Sequence, residues 1–337
     1  SRRDALTDPI AGSLTFYEKE AWAVHMIRKQ VGDVAYRRGV VQFLEKYSFR
    51  NAGIDDFIRE MEQAGGTDLD PYKQQWLQSR EFPYLEAKET LVAESKDLER
   101  FIKLQEELIA TNTDTETVLR SYWDATRSAP FRANIITAYY PSLSDNFLGK
   151  ALASGNPMIR QALAISAGQI PLGLKEGFES LLDDESYLTL EQALYKLWIY
   201  FPSDRIGYLN RTENITGFPD KNIRVLWLAL ALLTKDFEPQ KSGEYYKELG
   251  GYTGAEYPFE VRMNTFRFLK DAIGFSDRNL LDLIQASQHR SWQFRKFAGT
   301  LLDQLLEEGE YRGRIKKLLG KLNESELRYM NNKLKTR

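Results

Sequence analysis

Residues 223–233 read IRVLWLALALL, and the beginning of this stretch recurs along the chain. An apolar residue precedes a charged one, and apolar residues then follow at helical spacing, which is typical of a helix with one face in a core. Four other segments share this outline. The charged positions of the five segments are Arg160, Glu191, Arg224, Arg262 and Arg295, separated by 31, 33, 38 and 33 residues.

A period in the thirties, with enough sequence for two helices in each unit, is the pattern of an α-solenoid. Neighbouring helix pairs then stack, because one pair cannot cover its own apolar face. The sequence therefore predicts an all-α fold with a HEAT/armadillo-like α-solenoid in its larger part. An irregular helical bundle without true repeats remains the alternative, since the spacing varies.

Composition narrows the chemistry available to the chain. Its 337 residues predict two domains, and 46 basic against 48 acidic residues give a formal charge of −2. The absence of cysteine excludes disulfides, a cysteine nucleophile and a thiolate zinc site. His25 and His289 are the two histidines, so a two-histidine metal site would need residues from opposite ends of the chain.

The N-terminal part has its own helical pattern. Apolar stripes and stop signals predict helices from Tyr17 to Val31, over 34–47, after Asp55 to Gly65, and from Asp70-Pro71 onward. Pro83 and the stretch 81–89 suggest an extended linker. We therefore predict two domains, residues 1–86 and 87–337.

Residues 17–85 carry an ordered set of motifs. They include Tyr17-Glu18-Lys19-Glu20-Ala21, His25-Met26-Ile27-Arg28, Tyr47 with Asn51-Ala52, Gln75-Trp76-Leu77 and Pro83-Tyr84-Leu85. In this order and spacing, they resemble the end of the catalytic domain in the M-one family of zinc aminopeptidases, a gluzincin family. The resemblance implies the last helices of a thermolysin-like catalytic domain, followed by the helical domain of that family.

The resemblance also implies a role for Tyr17. It matches the family tyrosine whose hydroxyl stabilises the oxyanion of the tetrahedral intermediate, and a phenol that stays protonated at neutral pH is suited to this. Lys19 belongs to the same motif and is assigned only a positioning role. Glu20 stands where the family has glycine, which puts the activity of the intact parent in question.

The zinc motif of the family, H-E-x-x-H, does not occur in this sequence. We expect that the chain begins after the metal site of its parent protein. The chain by itself is then expected to bind no metal or cofactor and to be inactive. In the intact parent, the expected cofactor is zinc, and the expected partners are a peptide substrate and the N-terminal part of the same polypeptide.

Two other functions compete with this one. A non-catalytic α-solenoid could bind proteins through exposed aromatic residues such as Tyr139-Tyr140 and Tyr245-Tyr246. Nucleic-acid binding by the basic stretch 311–337 is a third possibility, but a solvated terminal helix explains these charges better, so we predict no nucleic-acid partner. The longest apolar run is too short to span a bilayer. A soluble protein is expected, with the compartment, cytoplasmic or periplasmic or secreted, left open.

Overall fold

The computed structural model describes residues 13–79 and 81–335, with side chains described from Glu18 onward. Every regular element in these residues is helical, so the prediction of an all-α fold is confirmed. The structure divides into two compact units, residues 1–103 and 104–337. This division by compactness does not locate the end of a catalytic domain, so the sequence-based boundary after residue 86 stays a prediction.

The helices of the first unit begin and end close to the predicted positions. Gly32 closes the first helix with a φ of 81°, and Gly66 ends the third in the left-handed conformation, as expected for residues without a Cβ. In order, the helices are α1 (Ser13–Val31), α2 (Asp33–Tyr47), α3 (Ile54–Gly65), α4 (Asp70–Tyr72) and α5 (Tyr84–Glu94), with α6 (Lys96–Ala110) crossing into the second unit.

The stretch after α4 differs from the prediction in two ways. The helix continues from Lys73 to Gln78 as a π-helix, a rare form that often occurs at functional sites. The extended linker predicted over 81–89 is wrong, because α5 begins at Tyr84, directly after Pro83. A proline just before a helix needs no backbone donor and is compatible with a helix start.

The second unit contains the remaining α-helices, joined by short 3₁₀ and π segments. They are α7 (Thr115–Asp124), α8 (Ala129–Tyr139), α9 (Asp145–Leu152), α10 (Pro157–Ser166), α11 (Lys175–Glu179), α12 (Tyr187–Tyr200), α13 (Arg205–Thr212), α14 (Asn222–Leu233), α15 (Ser242–Gly251), α16 (Phe259–Phe268), α17 (Asp277–Ala286), α18 (Trp292–Glu307), α19 (Gly309–Leu318) and α20 (Glu324–Lys335).

Alternate helices of this unit form a continuous row. The helices α8, α10, α12, α14, α16 and α18 each pack against the next in that order. The five charged positions singled out in the sequence lie near the starts of α10, α12, α14, α16 and α18. This arrangement suits stacked helix pairs, although the HEAT-like classification stays a prediction.

Helix α14 is the most deeply buried element of the row. Its side chains from Val225 to Ala231 are all buried, and it packs against α12, α13, α15 and α16. Trp227 is fully buried there and donates its indole N–H to the Leu209 carbonyl at 2.8 Å. A helix that is apolar on all sides requires such complete enclosure by neighbouring helices.

None of the helices that the structure describes combines the length and the apolar character that crossing a membrane requires.

Candidate functional site

The start of α1 contains the residue to which the sequence assigns a catalytic role. The backbone of Tyr17 is helical in the second turn of α1, and its side chain lies outside the described residues. The assignment of Tyr17 to oxyanion stabilisation therefore stays a prediction. The neighbouring residues Lys19, Trp22 and His25 define the surroundings of this part of the helix.

Lys19 connects α1 to the end of the π-helix. Its ammonium is buried and donates to the Ser79 carbonyl at 2.8 Å. Burial lowers the pKa of Lys19 below its ordinary value. Ser79 is the residue on which the π-helix ends, so its carbonyl has no partner within the helix. The lysine two residues after Tyr17 thus fixes the first turns of α1 to a second element of the same unit.

An aromatic cluster continues the contact between α1 and the π-helix. The rings of Trp22 and Trp76 stack with centroids 6.2 Å apart, and Phe82 contacts both edge to face. Trp76 is fully buried, and its indole N–H has no hydrogen-bond partner among the described residues. In the same hydrophobic core, Tyr72 donates its hydroxyl to the Ala23 carbonyl at 2.6 Å. These contacts pack α1 closely against α4 and the π-helix that follows it.

His25 lies at the edge of the cluster and contacts a carboxylate. Its Nε2 is 3.1 Å from Glu94 Oε2, which is ion-pair distance, but the atoms are not aligned for a hydrogen bond. Lys29 Nζ lies 3.0 Å from the other oxygen of Glu94, and this hydrogen bond, more than the charge of His25, lowers the pKa of Glu94. The ring also packs edge to face against Trp22. His25 therefore packs against Trp22 and lies next to the Glu94 carboxylate.

The described residues do not provide a suitable zinc site. Glu62, Asp68 and Asp70 form the one acidic or histidine group close enough to share an ion in the described ranges 18–79 and 81–335. They offer only oxygen ligands, whereas structural and catalytic zinc sites are built mainly on nitrogen and sulfur. Glu62 accepts the Leu69 N–H, and Asp68 accepts the Asp70 N–H, so two of these carboxylates shape the loop before α4.

The surface features proposed for an interaction module are only partly present. Tyr140 and Tyr245 are buried, with 8% and 6% of their surface exposed, while Tyr139 and Tyr246 are half-buried. The prediction that these tyrosines are exposed is therefore wrong for Tyr140 and Tyr245, which are buried. In the basic stretch 311–337, Arg314 pairs with Asp277 and Lys333 with Asp303.

Comparison with known proteins finds relatives for only a part of the chain. Part of this chain is similar to aminopeptidases. Leucyl aminopeptidase of Saccharolobus solfataricus is 32% identical over 85 residues, which are 25% of this chain and 11% of that protein. Probable aminopeptidase 1 of Sulfurisphaera tokodaii is 33% identical over 69 residues, 20% of this chain and 9% of that protein. Aminopeptidase N of Escherichia coli is 33% identical over 67 residues, 20% of this chain and 8% of that protein.

These alignments span about a tenth of each relative, so the activity of the whole relatives does not transfer directly to this chain. No family model matches the chain, and no solved structure matches it significantly.

Proposed function

We propose that this chain is the C-terminal part of a zinc-dependent aminopeptidase of the M-one family. In this proposal, the N-terminal helices complete the catalytic domain, and the HEAT-like helical domain walls the substrate cleft. The similarity of about a quarter of the chain to aminopeptidases carries the proposal. The order of motifs from Tyr17 to Leu85 and the all-α fold support it.

Tyr17 is proposed to donate its hydroxyl to the oxyanion that forms when water attacks the first peptide carbonyl of the substrate. A donor held in place before the reaction is effective because it does not reorganise as charge develops. The contact between Lys19 and the Ser79 carbonyl supports this role, since it fixes the backbone turn that carries Tyr17. Lys19 then acts as a positioning residue.

Zinc, when bound in the intact parent, supplies the activation of the attacking water in this family. Among the described residues, the group close enough to share an ion is Glu62, Asp68 and Asp70, which offers oxygen ligands alone and includes neither histidine. We therefore propose that the zinc ligands belong to an N-terminal part of the same polypeptide.

The test uses the full-length parent polypeptide and leucine p-nitroanilide as substrate. We expect hydrolysis that a chelator abolishes and zinc restores. Tyr17→Phe should lower kcat by roughly 10²–10³-fold, since it removes one oxyanion donor. Tyr84→Phe is the matched control because Tyr84 is 65% exposed, and it should leave kcat unchanged.

Two results would contradict the proposal. One is a parent with no H-E-x-x-H motif and no hydrolysis, and the other is zinc-responsive hydrolysis by the 337-residue chain alone. Full activity of Tyr17→Phe would refute the assignment of Tyr17 while leaving the family proposal standing.

A non-catalytic interaction module is the second candidate. The row of alternate helices from α8 to α18 favours it, because such stacks present an extended surface to other proteins. The absence of H-E-x-x-H from the parent sequence would make this the better proposal.

A further inference from the structure

A pocket of about 480 Å³ lies in the second unit, where the loop between α17 and α18 meets the start of α20. Its size is within the range of small-molecule sites. Most of the residues that line it are polar or charged. The side chains that matter for its chemistry are Arg262, Gln288, His289, Arg290, Ser325 and Glu326.

Arg262 is a buried cation without a carboxylate partner in the part of the chain that the structure describes. Only 3% of its surface is exposed. Its Nε donates to the Thr253 carbonyl at 2.8 Å, and its Nη2 donates to the Asp282 carbonyl and to Gln285 Oε1, each at 3.1 Å. The Asp282 carboxylate instead accepts from Thr253 Oγ1 and pairs with Arg278. The guanidinium also lies over the Phe294 ring, 5.1 Å from its centroid, which offsets part of the cost of burying the charge. An external anion would offset more of that cost.

The charges around the pocket add to that of Arg262. Arg290 and Arg295 are exposed, and neither pairs with a carboxylate of the described residues; Arg295 donates to the His289 carbonyl at 2.9 Å. Glu326 is the acidic residue of the lining, and its Oε2 accepts the Asn323 N–H at 3.0 Å. The Asp282 carboxylate and the more distant Glu256 also act on Arg262 through space. The cations nevertheless exceed the acidic groups on the pocket wall.

Gln288 is part of the pocket wall and has one unsatisfied polar atom. Its Oε1 accepts the Ser325 hydroxyl at 3.0 Å, and this contact orients the amide. Its Nε2 is buried and has no hydrogen-bond partner among the described residues. An unsatisfied buried amide in a native structure calls for an explanation, such as a bound water or ion.

His289 reports the electrostatic field of the pocket. Its Nδ1 accepts the Ser291 N–H at 3.0 Å, so this nitrogen carries no proton. Burial first, and then Arg262, Arg290 and Arg295, lower the pKa of His289. The three nearby arginines therefore disfavour a positive charge on the His289 ring.

We propose that this pocket binds the oxyanion of a small metabolite, a phosphate or carboxylate group, with Arg262 and Arg290 as donors. This proposal is independent of the aminopeptidase proposal, because no residue of the first unit takes part.

Histidine NMR of the full chain provides the test, since the chain has two histidines and one lies in each unit. Inorganic phosphate and succinate are titrated separately at millimolar concentrations and constant ionic strength, with chloride as the reference. We expect saturable shifts of the His289 ring signals and a rise in the pKa of His289, because a bound anion offsets the arginines. The His25 signals should not change.

Arg290→Gln should weaken phosphate or succinate binding about tenfold, the effect of losing one charged hydrogen bond. Arg127→Gln is the matched control, because Arg127 is an exposed arginine of the same unit outside the pocket. Arg262 is left unchanged, since its hydrogen bonds to Thr253, Asp282 and Gln285 connect α16 to α17 and to the turn after α15.

Tighter binding of phosphate than succinate identifies a phosphate ester as the ligand class, and the reverse order identifies a carboxylate. The proposal is overturned if His289 does not respond, if chloride gives the same response, or if Arg290→Gln binds as tightly as the unchanged chain.

Discussion

Asp183 and Asp184 are adjacent aspartates with very different surroundings, and their replacement by alanine gives a direct test of what stabilises the second unit. Asp184 has 6% of its side chain exposed and accepts Arg160 Nε at 2.6 Å and the Ser186 N–H at 2.9 Å. Asp183 has 67% of its side chain exposed and pairs with Arg211 at the surface. The expected effects of the two substitutions therefore differ strongly.

The magnitude follows from the bonds that each substitution removes. Losing the charged hydrogen bond to Arg160 costs about 1.5–3 kcal/mol and losing the Ser186 amide bond about 1 kcal/mol, so Asp184→Ala should cost about 2.5–4 kcal/mol. Asp183→Ala should cost no more than about 0.5–1 kcal/mol, as for other exposed pairs. Combining Asp184→Ala with Arg160→Met should reveal a coupling energy of about 1.5–3 kcal/mol, because only the Arg160 bond is shared.

Native-state hydrogen exchange of peptides from α10 and α12 is the preferred assay, since two units can unfold separately and a single global transition would combine them. Urea unfolding followed by circular dichroism provides a second measurement. Equal losses for Asp183→Ala and Asp184→Ala, or additive effects of Asp184→Ala and Arg160→Met, would refute this account of the Arg160–Asp184 pair.

Two further predictions concern backbone strain and pH. Gly217→Ala should destabilise the chain by more than about 2 kcal/mol, because Gly217 has a φ of 91° and an added Cβ would lie 2.9 Å from the Ile223 backbone nitrogen. Gly155 also has a positive φ, but an added Cβ would meet open space there. Gly155→Ala should therefore cost only about 1 kcal/mol in the same urea denaturation assay. Burial lowers the pKa of Lys196 from 10.5 to about 8. Between these two pH values the unfolded state binds more protons than the folded state, so the free energy of unfolding should rise with pH, by at most about 1.4 kcal/mol per pH unit, relative to Lys196→Met. A parallel pH dependence of the two proteins would contradict this.

The helices were predictable where local signals agree with the tertiary structure. Gly32 and Gly65-Gly66 correctly indicated helix ends, because glycine adopts positive φ without strain. The five charged positions from Arg160 to Arg295 correctly indicated helices of the second unit, since the apolar residues that follow each of them at helical spacing contribute to the core.

Other features depend on contacts between distant residues and left no local signal. The π-helix over 73–78 contains Trp76, which stacks on Trp22, and no pattern within the segment indicates either feature. The linker prediction failed because Pro83 serves equally well before a helix. The exposed-tyrosine prediction failed because the pattern of the segment did not show that Tyr140 and Tyr245 lie between helices.

The candidate site was predictable only from the motif order. Tyr17 and Lys19 were identified by resemblance, but the bond from Lys19 to the Ser79 carbonyl joins residues 60 positions apart and required the structure. The pocket around Arg262 had a weaker signal: Arg262 was recognised as a repeat position, and nothing in the sequence indicated that it lacks a carboxylate partner.

The enclosure of α14 has a consequence for synthesis of the protein. The helices α12 and α13 leave the ribosome before α14, whereas α15 and α16, which cover other sides of α14, follow it. While those later helices are being made, the apolar run Val225–Leu233 is exposed to solvent on those sides. The growing chain therefore passes through an interval in which this segment is open to aggregation and to binding by chaperones, and a pause in translation shortly after residue 233 would lengthen it.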